Sequence, residues 1–152
     1  MADFRTAVDI EAPPQTVFDL LTSEAGMTAW MGQWAQLDPV PGGVFAVDIA
    51  GYPARGTYLE VDPPWRLSFS WGFAGHDTLP PGSSTVTVEL TAIATGTRLE
   101  LSHTGLPDDD VAGHARGWAH FAERLRRAGQ GERLPPDTWS PLAAVPSPLP
   151  AD

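Results

Sequence analysis

The stretch DDDVAGHARGWAHFAERLRR, residues 108–127, decides the fold, because it combines an acidic start with a long amphipathic helix. At about 100° per residue, apolar and aromatic side chains fall on one side of this helix, and charged side chains fall on the other. The members of the apolar stripe are Val111, His114, Ala115, Trp118, Phe121, Ala122 and Leu125. A stripe of this width is typical of a helix that lies on a sheet.

The residues before this helix supply the sheet. Residues 43–103 alternate between apolar and polar side chains in short runs, which is the period of half-buried strands. The heaviest run has a bulky side chain at every second position: Trp65, Leu67, Phe69, Trp71 and Phe73. Residues 4–12 predict an earlier strand, and two short helices follow it. This order predicts an α+β helix-grip fold: a strand, two short helices and about six antiparallel strands wrapped round a long C-terminal helix.

The composition excludes several classes of function. The chain has 152 residues and a formal net charge of −10, and it contains neither cysteine nor lysine. The negative charge opposes phosphate backbones and anionic lipid headgroups, so nucleic-acid and membrane partners are disfavoured. Without cysteine there are no disulfides or zinc-thiolate sites, and without lysine there are no Schiff bases.

The same sequence predicts where the protein acts and how it is divided. No leader and no long apolar run is seen, so we expect a cytoplasmic protein. The absence of lysine and asparagine, whose codons are AT-rich, indicates a bacterial genome rich in GC. Residues 1–131 are predicted to form one domain and residues 132–152 a proline-rich tail with an extended course. Trp139 and Leu142 are candidates for docking this tail on the domain.

Several segments follow one another in the order of a known family. These segments are Ala12-Pro13-Pro14 through Val17-Phe18 to Leu21-Thr22, Trp30, Asp62-Pro63-Pro64, Thr85 to Leu90, Leu99 to Leu106, and Gly117 to Leu125. Over roughly residues 4–130 the chain resembles the activator homologues of the ninety-kilodalton heat-shock-protein ATPase. The resemblance implies a place in the START-like (SRPBCC) superfamily of pollen-allergen-type helix-grip proteins, which share an internal hydrophobic cavity. It therefore implies a ligand-binding role.

The candidate ligand contacts are aromatic and histidine side chains of the final helix, the strands and the short second helix. They are Trp30, Trp34, Tyr58, Trp71, Phe73, His103, His114, Trp118 and Phe121. Aromatic rings offer rigid apolar area with a polar handle, so the expected ligand is a small apolar or aromatic molecule. His103 and His114 are expected to face each other across the cavity. Ordinary core packing and structural hydrogen bonds remain the alternative interpretation of these residues.

Two other functions stay open, although a non-enzymatic binder is favoured and no catalytic residue is assigned. One is a cyclase-like or hydrolase-like enzyme that uses His103 or His114 as general acid or base beside Asp48 or Glu60. The other is a chaperone-linked protein-interaction module that uses the acidic surface and the tail. We expect a monomer or a homodimer.

No metal and no cofactor are expected. A metal site needs several converging ligands, whereas His114 and His120 project from opposite faces of the final helix. His76 lies on the loop from Gly75 to Ser84, which is predicted to be a flap distant from the other histidines.

Overall fold

One antiparallel sheet and three helices make up residues 2–137, which are the residues that the computed structural model describes. The strands are β1 (Ala2–Ile10), β2 (Trp34–Leu37), β3 (Val44–Ile49), β4 (Tyr52–Asp62), β5 (Arg66–Trp71), β6 (Ser84–Ile93) and β7 (Gly96–Leu106). The helices are α1 (Pro14–Thr22), α2 (Glu24–Trp30) and α3 (Asp108–Gly129). The strand order is β1-β7-β6-β5-β4-β3-β2. The predicted α+β helix-grip fold is confirmed.

Local sequence signals set the two short helices. Pro14 lies in the first turn of α1, where its missing N–H is not needed. Ser23 is the N-cap of α2, and its side chain accepts a hydrogen bond from the Gly26 N–H at 3.1 Å. After α2, Gly32 adopts φ +81° and passes so close to β3 that a Cβ would lie 2.5 Å from the Val47 side chain. Only glycine fits this turn.

The sheet bends where β4 pairs with β5. A Cβ on Gly56 would lie 1.8 Å from the Ser70 carbonyl oxygen, so the two backbones are in direct contact there. The register of this strand pair also shifts between Tyr58 and Glu60. Shifts of this kind increase the bend and twist of a strand, and they help to give the sheet its concave face.

Helix α3 packs its apolar stripe against this concave side. Its buried residues are Gly117, Trp118, Phe121 and Leu125, which confirms the predicted inner face and adds a glycine to it. Asp108, Asp109 and Asp110 lie in the first turn, where the helix dipole favours negative charge. Among residues 2–137, no helix has the length and apolar character needed to cross a membrane.

The first residues of the proline-rich tail fold back onto α3. The Asp137 carboxylate accepts a hydrogen bond from His120 Nε2 at 3.0 Å. The Arg124 guanidinium donates to the Pro135 carbonyl at 3.3 Å and to the Trp30 carbonyl at 3.1 Å. Arg124 therefore joins α3 to α2 and to the start of the tail. Trp139 and Leu142 lie outside the described residues, so their docking stays a prediction.

Candidate functional site

Helix α3 and the concave face of the sheet meet at a cluster of five rings, which we call the ring cluster. Trp71 lies at its centre, with its ring centroid 5.5 Å from Trp118, 5.6 Å from Phe73, 5.9 Å from His103 and 6.3 Å from His114. Strict alternation along β5 and onward points Trp71 and Phe73 inward. All five members were candidate ligand contacts, and the fold brings them together.

His103, on β7, is held by two neighbours. The Trp118 indole N–H donates to His103 Nδ1 at 3.0 Å. Because a neutral imidazole carries one proton, His103 Nε2 bears it and donates to Ser84 Oγ at 2.8 Å. The Ser84 hydroxyl in turn donates to the Trp71 carbonyl at 2.9 Å. Both ring nitrogens of His103 and the Ser84 hydroxyl therefore have hydrogen-bond partners.

His114, on α3, is held in the same way. The Trp71 indole N–H donates to His114 Nε2 at 3.2 Å, so the proton lies on Nδ1. His114 Nδ1 then donates to the Asp110 carbonyl at 2.9 Å, one helical turn earlier. The two indoles fix the tautomer of both histidines.

The two histidines touch each other. Their ring centroids lie 5.1 Å apart and the rings meet edge to face, so the histidines do face each other, but in direct contact rather than across an open space. Burial, reinforced by the neighbouring His114, lowers the pKa of His103 from 6.5 to about 2. Burial also lowers the pKa of His114, although its bond to the Asp110 carbonyl opposes this effect. Both imidazoles are neutral at physiological pH.

The carboxylates expected beside the histidines lie elsewhere. Asp48 Oδ1 is 2.9 Å from an Arg55 nitrogen, and it alternates along β3 with the buried Val47, so it projects from the other face of the sheet. Glu60 accepts a hydrogen bond from Arg66 Nε at 2.7 Å. The expectation that either acid lies beside His103 or His114 is wrong. Strand alternation places Asp48 on the outer face, and the register shift between Tyr58 and Glu60 places Glu60 there too.

The loop after Phe73 is not the distant flap that its composition predicted. His76 is buried, and its Nδ1 accepts a hydrogen bond from the Leu79 N–H at 3.0 Å. Phe73 lies between two histidines, with ring centroids 6.3 Å from His76 and 5.9 Å from His114. His76 is therefore an immediate neighbour of the ring cluster, and the hydrogen bonds of its side chain hold the loop folded on itself.

Tyr58 differs from the ring cluster in one respect. Its side chain is 0% exposed, yet its hydroxyl has no hydrogen-bond partner within residues 2–137. Its ring packs edge-on against Phe45 and Phe69, with centroids 5.8 Å and 6.1 Å away. Burial raises the pKa of Tyr58, and the nearby Asp38 carboxylate raises it further. The hydroxyl therefore stays protonated and is a donor with nothing to donate to.

Three of the other candidates lie outside the ring cluster. Trp34, on the edge strand β2, is 45% exposed and lies 5.4 Å below the Arg55 guanidinium, so the expectation that it lines the interior is wrong. Trp30 is buried and its indole N–H donates to the Leu20 carbonyl at 2.8 Å, which locks α2 against α1. Phe121 is buried one turn after Trp118 on the inner side of α3.

Sequence reasoning missed Ser84 and underestimated His76. Ser84 lies two residues before Val86 and four before Val88 on β6, so strand alternation places its hydroxyl on the same buried face as these valines. For His76 there was no comparable signal, because its position depends on loop hydrogen bonds. Among residues 2–137, no three histidine or acidic side chains converge as metal ligands would.

A groove of about 500 Å³ lies on the outer face of the sheet, away from the ring cluster. It is lined mainly by polar and charged side chains, including Arg5, Thr87, Glu100 and Ser102. Arg66, which also lines the groove, forms ion pairs with Glu60 and Glu89. The groove offers no apolar surface comparable to the interior.

The curved antiparallel sheet, the gripping α3 and the inward-facing rings define a START-like (SRPBCC) domain. The sequence profile described as activator of Hsp90 ATPase homolog 1-like protein matches residues 11–130, and the chain belongs to this family. The resemblance seen in the sequence is confirmed. The comparison with curated proteins finds no match.

Solved structures agree with this assignment. The chain is 40% identical to the AHSA1-like protein RHE_CH02687 from Rhizobium etli, over 91% of this chain and 88% of that one, with a TM-score of 0.73. The Aha1 dimer from Colwellia psychrerythraea is 16% identical and shares the fold, with 86% and 98% coverage and a TM-score of 0.77. DynU16, a protein in the dynemicin biosynthetic locus, is 27% identical over 86% of this chain and 48% of that one, with a TM-score of 0.73.

Proposed function

We propose that this protein binds a small apolar or aromatic molecule between α3 and the concave face of the sheet, without transforming it. The observation that carries the proposal is the Tyr58 hydroxyl, which is buried, protonated and unpartnered among residues 2–137. A buried hydroxyl without a partner lowers stability by about 1–3 kcal/mol. A group with this penalty calls for an explanation, and a ligand that completes its hydrogen bond would supply one.

The proposed contacts form a row that starts at Tyr58. Phe69 lies next to Tyr58, and Trp71 follows with its ring centroid 6.4 Å from that of Phe69. Trp71 then leads into the rest of the ring cluster. We assign Tyr58, Trp71, Phe73, His103, His114, Trp118 and Phe121 to the site, and we leave out Trp30 and Trp34 because both lie away from the row.

The histidines favour binding over catalysis. A general acid or base must exchange a proton with the substrate, but both nitrogens of His103 and both nitrogens of His114 already have partners. Neither Asp48 nor Glu60 lies beside them. In this arrangement the imidazoles of His103 and His114 act as neutral ring surfaces. Neither histidine is then available as the general acid or base that the enzyme alternative requires.

Two relatives bear on the biological setting. DynU16 belongs to a biosynthetic locus, and such a setting suits a protein that handles a small organic molecule. The structure from Colwellia psychrerythraea is a dimer, which supports the homodimer option. The oligomeric state, the cytoplasmic location and the bacterial origin stay predictions of the sequence.

A binding screen tests the proposal. Thermal unfolding of the full chain is followed with a library of apolar and aromatic metabolites, and each hit is titrated by tryptophan fluorescence. A ligand present at 100 times its Kd stabilises the folded state by about 2.7 kcal/mol, so binders raise the Tm. The Trp118→Phe variant is expected to bind each hit more weakly than the unmodified chain does. The Trp34→Phe variant, which changes the exposed edge strand, is expected to bind each hit with unchanged affinity. A library without a single hit contradicts the proposal.

A further inference from the structure

The sheet ends in two edge strands that differ in how well they are covered. β2 has only four residues, and its Leu37 N–H donates to the Glu24 carboxylate at 3.1 Å. β1 has nine residues and pairs with β7 alone. Within the described part of the chain, no backbone group of residues 3–9 bonds to another backbone group outside that ladder. β1 therefore has one free edge, which is a template for a further strand.

The inner face of β1 is also incompletely buried. Phe4 and Val8 pack against the core but stay partly exposed. Leu99, which lies opposite Val8 on β7, is 1% exposed. The difference arises because β7 has a neighbour on both sides and β1 has a neighbour on one. A strand placed beside β1 would remove more apolar surface from water, which favours association.

The outer face of β1 carries two opposite charges at symmetric positions. Arg5 and Asp9 are exposed and lie two residues before and two residues after Ala7. Asp9 pairs with Arg98 at 2.8 Å, whereas Arg5 makes no ion pair with any residue between 2 and 137. Charges on an edge strand usually prevent pairing. Here, two antiparallel copies centred on Ala7 would place Arg5 of each copy opposite Asp9 of the other.

We infer that this protein forms a symmetric dimer in which the β1 strands of two copies pair antiparallel, with Ala7 at the two-fold axis. The sheet is then continuous across both copies, and two opposite-charge pairs fix the register. The same register brings Asp3 near Glu11, but Glu11 follows the last residue of β1, so this like-charge contact lies beyond the ladder. The contact between two single strands is small, so the dimer is expected to dissociate on dilution.

Charge reversal tests the register. Sedimentation equilibrium of the full chain is measured at moderate salt, where repulsion between the two acidic chains is screened beyond about 8 Å. Arg5→Asp and Asp9→Arg each place like charges opposite one another twice, so each is expected to weaken dimerisation at least about tenfold. An equimolar mixture of the two variants regains both opposite-charge pairs. It is expected to dimerise at least about tenfold more tightly than either variant alone.

A single cysteine tests the position of the two-fold axis. The chain contains no cysteine, so Ala7→Cys introduces one thiol per copy. In the proposed dimer the two Cα atoms at this position are about 4.5–5.5 Å apart, within the range that a disulfide spans. Ala92→Cys, at an exposed position of β6 away from the edge, is the matched control. Under mild oxidation, Ala7→Cys is expected to form linked dimers at least about tenfold faster than Ala92→Cys.

Each outcome decides for or against the inference. Dimers that both charge variants weaken and the mixture restores, together with rapid linkage at position 7, support it. An unmodified chain that stays monomeric up to about 500 μM overturns it, since even weak interfaces associate at that concentration. Unchanged dimerisation of the charge variants, a mixture that stays monomeric, or equal linkage rates of the two cysteine variants also overturns it. The cysteine measurement keeps the charges of β1 and does not depend on the folding of the charge variants, which circular dichroism checks.

Discussion

The buried hydroxyl groups of Ser84 and Tyr58 differ in their hydrogen-bond partners. Ser84 has two, since its oxygen accepts from His103 and its proton goes to the Trp71 carbonyl. Tyr58 has none among residues 2–137. A buried hydroxyl stabilises a folded chain only when it is hydrogen-bonded. The difference predicts opposite effects when each hydroxyl is removed.

Tyr58→Phe is expected to leave the free energy of unfolding unchanged or to raise it by up to about 1 kcal/mol, because an unsatisfied group is removed. Ser84→Ala is expected to lower it by about 1–3 kcal/mol, because His103 Nε2 then loses its acceptor. Urea denaturation of both variants and the unmodified chain measures the difference. A destabilisation of Tyr58→Phe equal to that of Ser84→Ala would mean that Tyr58 has a partner inside the protein.

The neutral histidines give the protein a defined pH dependence. The pKa of His103 is about 2 in the folded chain, compared with an ordinary value of 6.5. Because the folded pKa is lowered, the unfolded chain binds the extra proton first, and stability is lost as the pH falls below about 6.5. Between pH 8 and pH 5 this group alone is expected to lower the free energy of unfolding by about 2 kcal/mol.

The His103→Gln variant isolates this contribution. Urea denaturation at pH 8 and at pH 5 is expected to show a smaller difference for the variant than for the unmodified chain, by about 2 kcal/mol. All other titrating groups are present in both proteins, so their contributions to the pH dependence of the unfolding free energy cancel in the comparison. The same pH difference in both proteins would show that folding does not lower the pKa of His103.

At the scale of elements, α3 is joined to its neighbours by polar contacts as well as by the apolar stripe. Arg124 is 12% exposed and binds α2 through the Trp30 carbonyl. Arg126, two residues later, binds Glu123 in the same helix and Gln130 just after its end. The two arginines are close in sequence but make different kinds of contact.

Arg124→Ala is expected to lower the free energy of unfolding by about 1–3 kcal/mol, because carbonyls of two other segments lose a charged donor. Arg126→Ala, the matched control, is expected to change it by less than about 0.5 kcal/mol, since exposed pairs contribute little. Urea denaturation at moderate salt distinguishes the two variants. Equal effects would mean that Arg124 contributes only as a surface charge.

At the scale of the whole molecule, the residues just after the predicted domain boundary contact the domain. The sequence predicts a boundary at residue 131, shortly before the prolines that begin at Pro135, whereas Asp137 lies against His120 and Arg124, with its side chain only 9% exposed. We propose that the folded unit extends to Asp137. The six residues after Gly131 then belong to the domain rather than to the tail.

Two truncations test this boundary. A chain that ends at Asp137 keeps the contacts to His120 and Arg124, whereas a chain that ends at Gly131 leaves both side chains without this carboxylate. The shorter chain is expected to be less stable by about 1–3 kcal/mol. Thermal and urea unfolding of the two chains supply the measurement, and equal stability would restore the boundary at residue 131.

The sequence alone determined the fold class, because periodicity reports which face of each element is buried. The alternation of Leu67, Phe69, Trp71 and Phe73 and the stripe around Trp118 were enough to place the rings of β5 and α3 on facing surfaces. The order of short motifs was enough to predict the family. These signals are local, and they predict the fold because each regular helix or strand buries the face that its sequence period marks as apolar.

Only the tertiary structure decided how the facing side chains meet. Periodicity gives the direction of a side chain but no distances, so it did not show that His103 and His114 touch, that two indoles fix their protons, or that Tyr58 lacks a partner. The positions of His76 and Asp137 depend on loop hydrogen bonds without any period. Contacts between residues far apart in the chain are set by packing, and the proposed site consists of such contacts.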